Sequence, residues 1–361
     1  MLKKIKWATL MLGCSSLTAF AWDEVYFSPE HQNSGGTGLT WAQGINAIFI
    51  NPANLSENKD IFQGAAIASP NLVVGRDTTQ IAKKIIQKQN RFEIIANHQD
   101  NPQYVSASNV TGIAFRRVGL GLIYKNEHSA YVGYSSSRET STLKYESNEW
   151  SGVYFSLSRD FFSNYLQLGL TTRILKKKQS SVEYTYSEVY QHIANQTYKD
   201  ALKSNTKQGL APGVDLGATL LLSDKNNRPT IAVVGRNLGS KFQNQNPADR
   251  PDPIPTQLDA GLSIEPGTKN SSAKLSADFL DTLNATKTPY YKRLKLGAQL
   301  SFMSVLGLAG GVSDGYPSYG GFVNLKIVKV EAGTYSEELG KKAGELRGRR
   351  YYGKVSVGWS K

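Results

Sequence analysis

The chain has 361 residues and a formal net charge of +13, from 42 Lys and Arg against 29 Asp and Glu. Its mean hydropathy is negative, -0.38, and no segment approaches the roughly 18 consecutive apolar residues of a membrane helix, which excludes a helical membrane protein. Cys14 is the only cysteine. If it is removed with a leader, the mature chain can form no disulfide, thiolate metal site or cysteine nucleophile.

Residues 1–21 are predicted to be a signal peptide. Three lysines precede a short apolar core, and Ala19-Phe20-Ala21 places small residues at the two positions that a signal peptidase reads. Cleavage after Ala21 would lower the formal charge from +13 to +10, because the leader holds those three lysines. The apolar core is too short for a membrane anchor. A lipoprotein cleavage site at Cys14 is the less favoured alternative.

Residues 22–60 are predicted to be a compact segment without strands. Gly35-Gly36-Thr37-Gly38 permits tight turns, and Pro52 ends the apolar run that precedes it and biases Asn51 to an extended conformation. A solvated tail would not concentrate so many apolar residues between positions 45 and 50. We therefore expect a plug or hatch in the mouth or lumen of a barrel, with a frayed periplasmic tail as the alternative.

From residue 61 onward, apolar and polar residues alternate in repeated runs. A period of two is typical of a strand with one apolar and one polar face. The final run places Tyr351, Val355, Val357 and Trp359 on its apolar face. About 14 strands are predicted, over residues 61–74, 110–116, 119–124, 152–158, 166–174, 214–222, 230–234, 257–265, 273–279, 293–302, 306–312, 322–327, 328–335 and 351–359.

Two inserts interrupt the alternation. Within 76–100, apolar residues from Thr78 to Ile95 recur at helical spacing opposite lysines, which predicts a helix packed on the barrel end. A membrane-surface or gating helix is the alternative there. Within 179–208, residues 188–203 are predicted to form a polar helix in a long loop.

Three observations favour a membrane barrel over a soluble sandwich. The leader predicts export, the strands have the roughly 9–11 residues that cross a bilayer at a tilt, and a final strand in lipid must pair with the first because an open edge is not tolerated there. The sequence thus predicts an all-β transmembrane antiparallel barrel spanning 61–361 in the bacterial outer membrane. We expect Tyr351, Val355, Val357 and Trp359 to serve closure and assembly, the latter through the barrel assembly machinery.

Residues for catalysis or cofactor binding are not evident. His31, His98, His128 and His192 lack metal-ligand spacing, and His128-Ser129 is interpreted as a turn between strands. Glu337-Glu338 would point to opposite faces of a strand. We expect no enzyme activity, no metal and no cofactor. Nucleic acid is not an expected partner, because no basic patch with stacking aromatics is present. Acidic lipopolysaccharide or an anionic lumen ligand is the expected partner of the scattered basic residues.

One short motif resembles a known family of barrels. Asn51-Pro52-Ala53-Asn54-Leu55 resembles the Asn-Pro-Ala-Gly-Leu box of long-chain fatty acid transporter (FadL-like) barrels, with Asn54 in place of the usual glycine. The resemblance implies passive transport or binding of hydrophobic small molecules. In that mechanism Ile48, Phe49, Asn51, Pro52 and Ala53 would form a movable hatch, and solutes would leave by a lateral opening or through the lumen.

The closer resemblance is to a related family, the conjugal transfer TraF-type barrels, which are also related to PorV-like barrels, and the C-terminal half is its specific part. Ser360 and Lys361 depart from the usual aromatic ending of barrel proteins. This resemblance implies an alternative function, an accessory barrel of a conjugation or secretion apparatus that recruits components through the two inserts. The similar segments are Val214-Asp215-Leu216-Gly217, Gly235-Arg236-Asn237-Leu238-Gly239, residues 311–317, residues 335–340 and Gly348-Arg349-Arg350.

Overall fold

The described part of the chain is a closed antiparallel β-barrel around an internal plug. A computed structural model describes residues 25–26, 28–57, 60–78, 102–133, 142–185, 187–188, 191, 204–224, 227–267, 271–340 and 342–360. The predicted signal peptide, Cys14, His98, His192 and nearly all of both predicted insert helices lie outside these residues. The predicted all-β barrel is confirmed.

Fifteen strands form one sheet, in which each strand from β2 onward pairs with the next along the chain. The strands are β1 (Phe62–Ala68), β2 (Asn71–Gly75), β3 (Gln103–Phe115), β4 (Val118–Gly133), β5 (Thr142–Phe161), β6 (Leu166–Thr185), β7 (Thr206–Leu221), β8 (Thr230–Leu238), β9 (Gln257–Ile264), β10 (Ser271–Phe279), β11 (Leu294–Phe302), β12 (Leu306–Ser313), β13 (Tyr316–Asn324), β14 (Val328–Glu338) and β15 (Arg347–Ser360).

The first strand of the barrel is divided into β1 and β2, both of which lie between β15 and β3. The barrel is therefore 14 strands around, as predicted, with one extra strand from the division. The break falls at Ser69 and Pro70, because proline has no N–H for the ladder. There the Ser69 amide donates to Asn109 Oδ1 (2.9 Å) and Pro70 accepts from the Val355 amide (3.1 Å). At this point, a bond to a side chain and an irregular backbone hydrogen bond replace part of the regular ladder between the strands.

The outer surface carries a continuous apolar band. On β15, Tyr351, Val355, Val357 and Trp359 all point outward and are 39–52% exposed. Soluble proteins rarely expose an apolar area of this extent, whereas lipid-facing residues of a membrane barrel alternate in this way. Other exposed members of the band are Leu120, Leu122, Phe155, Leu157, Leu168, Leu216, Leu220, Leu262, Leu296, Leu308 and Val330.

Several strands are longer than the sequence predicts. β5 and β6 each contain 20 residues, so the predicted length of about 9–11 is wrong for them. Residues 179–185 and 206–208, predicted as insert, belong to β6 and β7. Polar outward residues such as Lys176 and Lys178 hide the alternation there, although the ladder continues. The predicted strand 322–327 is also wrong, since β13 ends at Asn324 and Lys326 has φ 70° in a turn.

The two ends of the barrel differ. Short turns such as 116–117 and 303–305 join strands at one end, here called the turn end, and most longer connections lie at the other, the loop end. In bacterial outer-membrane barrels the short turns face the periplasm. Residue 61 and the C-terminal residues of β15 lie at the turn end.

Helices contribute little to the wall. Two short helices, α1 (Pro29–Asn33) and α2 (Ile45–Ile50), and a 3₁₀ helix (Pro52–Ser56) precede the barrel, and α3 (Tyr290–Arg293) and a further 3₁₀ turn (Pro247–Asp249) lie in loops. Among the residues that the structure describes, no helix is long and apolar enough to cross a membrane.

Candidate functional site: the plugged lumen

Residues 28–56, here called the plug, lie inside the barrel and contact opposite walls. The first helix, α1, contacts β12, β13 and β14, α2 contacts β1, β3, β4 and β5, and the 3₁₀ helix contacts β5, β6 and β7. The five predicted hatch residues are all in this segment and all buried: Ile48, Phe49, Asn51, Pro52 and Ala53. The plug occupies the lumen as a packed core rather than as a loose tail.

Asn51 anchors the plug through its side chain. Its Oδ1 accepts from the Ala53 amide (3.1 Å), which caps the 3₁₀ helix that begins at Pro52. Its Nδ2 donates to the Leu39 carbonyl (2.7 Å) and to Thr219 Oγ1 of β7 (2.9 Å). One fully buried amide therefore joins two parts of the plug to the wall.

Wall side chains also hold the plug backbone. Thr171 Oγ1 donates to the Ile48 carbonyl (3.2 Å), and Arg236 Nη1 donates to the Phe49 carbonyl (3.2 Å). At the opposite wall, Asp278 Oδ2 accepts from the Gly38 amide (2.7 Å) and the Leu39 amide (3.0 Å). These bonds satisfy backbone groups that would otherwise be buried without partners.

The wall is lined with glycines where the plug approaches it. A Cβ built on Gly169 would lie 2.2 Å from the Ala53 nitrogen, and one on Gly217 would lie 2.1 Å from Asn51 Oδ1. This feature was not predicted from the sequence, although glycines at inward positions of successive strands are a recognisable signal. The other glycines whose Cβ would meet plug atoms within 3.4 Å are Gly112, Gly119, Gly121, Gly261, Gly297, Gly311, Gly320 and Gly333.

A cavity of about 1170 Å³ lies on the loop-end side of the plug. Its floor, here defined as Val25, Tyr26, Phe49, Tyr154 and Ile254, is apolar and aromatic. The rings of Tyr26 and Phe49 stack at 4.2 Å, and Phe49 meets Tyr154 edge-on at 4.7 Å. Such a concave apolar surface with a few polar groups nearby is typical of a small-molecule site.

Five charged pairs lie above the floor, and three of them join neighbouring strands. In each pair the basic side chain has a carboxylate oxygen within 2.5–2.8 Å, so the two charges neutralise one another although the chain is strongly basic. The pairs are Lys125 with Glu127, Arg173 with Asp215, Arg236 with Asp259, Lys295 with Asp314 and Arg350 with Glu337.

His31 is a buried titratable group of the plug. Its ring stacks on Trp41 at 4.3 Å, and Nδ1 lies 2.6 Å from Ser28 Oγ. Burial lowers the pKa of His31 to about 3, so the imidazole is neutral in the docked plug at neutral pH. Burial would raise the pKa of the adjacent Glu30, but Lys329, with Nζ at 2.8 Å, holds that pKa below its ordinary value.

Acid is expected to weaken plug docking. A released plug would protonate His31 near its ordinary pKa of 6.5, whereas the docked plug does not do so until about pH 3. Docking is therefore fully favourable above pH 6.5 and loses about 1.4 kcal/mol for each pH unit below it. Loss of the Glu30–Lys329 pair adds to the effect below about pH 4.5; Lys274 and Lys354 are the other cations near His31.

Planar-bilayer conductance measured from pH 7.5 to 4.5 checks this expectation. The wild type should conduct increasingly as the pH falls through 6.5. A His31→Gln variant, which has no titrating group at this position, should show no rise until Glu30 protonates. An identical pH profile for both proteins would contradict the linkage to His31.

The structure also locates three further candidates from the sequence, His128, Glu337 and Glu338. His128 was predicted in a turn, which is wrong, because it lies within β4 on the outer face with Nδ1 2.7 Å from Tyr145 OH. Glu337 pairs with Arg350, and Glu338 accepts from the Tyr316 hydroxyl. No group of three or more metal-ligating side chains occurs in the described residues.

The predicted closure residues line the seam of the barrel. Trp359 and Val357 are in register with β1, opposite Ala65 and Ala68, and Tyr351 is in register with Val74 of β2. Their role in assembly stays a prediction.

These features define an outer-membrane β-barrel with a plugged lumen. No protein-family model matches the sequence, and no curated protein matches it. The fold is similar to that of the toluene transporter TbuX of Ralstonia pickettii, with 13% identity, a TM-score of 0.57 and coverage of 94% of this chain and 100% of that one.

Two further solved structures are similar. The monoaromatic hydrocarbon channel CymD matches with 13% identity and a TM-score of 0.55, and the P. putida toluene transporter TodX with 12% identity and a TM-score of 0.52. Each covers 94% of this chain and 99% of its own. The barrel is therefore FadL-like in fold. The TraF-type and PorV-like parts of the resemblance stay predictions.

Proposed function

We propose that this protein is a passive outer-membrane transporter of uncharged hydrophobic small molecules. The observation that carries the proposal is the aromatic floor of Tyr26, Phe49 and Tyr154 at the base of an open cavity. Transfer of an apolar solute from water to an apolar surface such as this floor is favourable in free energy. Three barrels of similar fold carry toluene transport or monoaromatic hydrocarbons in their names.

The electrostatics of the lumen support an uncharged ligand. Arg173 and Arg236, the basic groups nearest the floor along β6 and β8, are each held by an aspartate at 2.7 and 2.5 Å. An anionic ligand would have to compete with these carboxylates for the guanidinium groups, at a cost in desolvation. Neutral solutes meet no such barrier.

Two exits remain open to a solute that has bound on the floor. In one, the plug moves as a hatch and the solute continues along the lumen. In the other, the solute leaves sideways into the membrane at Ser69 and Pro70, where the wall is joined in part by the Asn109 side chain. Both exits have a structural basis, and the first needs the many plug–wall hydrogen bonds to break together.

The alternative function, an accessory barrel for conjugation or secretion, depends on the inserts 76–100 and 179–208. Most of both inserts lies outside the described residues. Recovery of stoichiometric secretion components with the barrel from outer membranes would favour that function.

Replacement of Tyr26 by alanine is expected to weaken binding of a monoaromatic probe. The Tyr26 ring stacks on Phe49 and faces the cavity, and loss of one aromatic contact costs about 0.5–1.5 kcal/mol, or about two- to tenfold in affinity. Equilibrium binding of radiolabelled toluene to the detergent-purified barrel measures this. Tyr26→Phe keeps the ring and should bind as the wild type does. Equal toluene binding by wild type and Tyr26→Ala would overturn the floor as the site.

A further inference from the structure

Two arginines lie on the outer face of β15, above the apolar band at the loop end. Arg347 and Arg349 alternate with inward residues, on the same face as Tyr351 and Trp359. The guanidinium carbon of Arg349 lies 5.3 Å from the Tyr351 ring centre, and Nη2 donates to the Tyr319 hydroxyl (3.1 Å). The Arg349 side chain is thus held at the aromatic girdle by the Tyr351 ring and the Tyr319 hydroxyl.

The second arginine is held in a similar way. Arg347 Nε donates to Ser336 Oγ of β14 (3.0 Å), and its guanidinium carbon lies 4.9 Å from the Tyr316 ring centre. The nearby Glu338 carboxylate already accepts from the Tyr316 hydroxyl (2.7 Å) and the Gly340 amide (2.8 Å). Glu338 lies opposite Arg347 in the β14–β15 register, but no ion pair joins the two side chains.

Neither arginine forms an ion pair with a carboxylate of the described residues. No ion pair among the described residues includes Arg347 or Arg349, whereas the intervening inward Arg350 pairs with Glu337 at 2.5 Å. Arg347 uses Nε for its bond to Ser336, and Arg349 uses Nε and Nη2. Within the described part of the chain, the remaining N–H groups of both guanidinium groups are available to an external acceptor.

The height of the pair above the membrane can be estimated from β15. Ten residues separate Arg349 from Trp359, which lies at the turn end. A rise of about 3.4 Å per residue and a tilt of about 40° place Arg349 roughly 26 Å above Trp359. The apolar band of a membrane barrel is about 25 Å tall. Arg349 thus lies at the head-group level of the opposite interface, with Arg347 just beyond it.

We propose that Arg347 and Arg349 form a binding site for the phosphate groups of lipopolysaccharide in the outer leaflet. A planar guanidinium binds phosphate oxygens in a bidentate manner, which a lysine cannot do. The apolar band below the pair accommodates the acyl chains, and the loop end faces the leaflet that holds this phosphorylated glycolipid. The proposal does not depend on what the barrel transports.

Native mass spectrometry of the full-length barrel in detergent tests the site. The probe is a minimal lipopolysaccharide with both lipid A phosphates, compared with its dephosphorylated form and with phosphatidylglycerol. The wild type should retain one phosphorylated molecule, and each arginine replaced by alanine should reduce the affinity about tenfold. Arg347→Lys/Arg349→Lys should lie between the wild type and the double alanine variant.

Lys176→Ala/Lys178→Ala is the matched control. These lysines also alternate on an outer face near the loop end, but their ammonium groups lack the planar fork that binds phosphate in a bidentate manner. The control should retain the lipid as the wild type does. Equal affinity in the double arginine variant would overturn the site, and equal retention of phosphatidylglycerol would overturn the assignment to lipopolysaccharide. Heat-dependent gel mobility verifies that every variant is folded.

Discussion

Oxidation of a Thr37→Cys/Ser276→Cys variant is expected to stop uptake of hydrophobic solutes, and reduction should restore it. Ser276 Oγ of β10 donates to Thr37 Oγ1 of the plug over 2.7 Å, so sulfurs at these positions lie within reach of one another. The disulfide would tie the plug to the wall. If the plug is the hatch, it could then no longer move. Uptake of radiolabelled toluene by cells expressing the variant, before and after reduction, measures the effect.

A disulfide within the wall is the matched control. Ser147 of β5 and Ser180 of β6 lie directly opposite one another in the strand register, on the outer face of the barrel, so Ser147→Cys/Ser180→Cys joins two wall strands without involving the plug. This control should transport in both redox states. Continued transport by the oxidised Thr37–Ser276 variant would rule out a moving plug and leave the break at Ser69 and Pro70 as the exit.

The wall could be predicted from the sequence because lipid imposes a strict period of two on its outer face. On β15 the alternation from Tyr351 to Trp359 is unbroken, and the strand contains these residues with a few more at its start. Where outward residues are polar, as at Lys176 and Lys178, the pattern fades but backbone pairing continues. The period reports what faces lipid, whereas the hydrogen-bonded ladder decides where a strand ends.

The lumen could be predicted only in part. The apolar residues at 45–50 and the proline that follows them indicated a plug, and the structure places Ile48, Phe49 and Asn51 at its centre. The floor brings together Tyr26, Tyr154 and Ile254 from distant parts of the chain. No local pattern predicts that meeting, because it depends on the register of the barrel.

The paired charges were equally hidden from the sequence. Arg173 and Asp215 are 42 residues apart, yet they lie 2.7 Å from one another on adjacent strands. A net charge of +13 suggested acidic lipopolysaccharide or an anionic lumen ligand as a partner, but formal charge carries no information on pairing. The unpaired arginines Arg347 and Arg349 lie instead on the outer surface.

A Gly169→Ala/Gly217→Ala double variant is expected to displace the plug and open a conducting pore. The added Cβ at Gly169 would lie 2.2 Å from the Ala53 nitrogen and 2.3 Å from the Pro52 carbonyl carbon. Both are backbone atoms of the 3₁₀ helix, which cannot yield as a flexible side chain can. The second Cβ would meet Asn51 Oδ1 at 2.1 Å, where that oxygen caps the same helix.

Overpacking of this kind costs about 1–3 kcal/mol at each site, and the two sites act on one short helix, so their effects are expected to combine. Planar-bilayer conductance should rise from nearly closed to that of an open lumen. Gly353→Ala is the matched control, because nothing lies within 4 Å of a Cβ at that wall glycine, and it should leave conductance low. If the assembled double variant does not conduct, the plug shifts within the lumen without leaving it. A hatch that slides rather than swings would require the same movement.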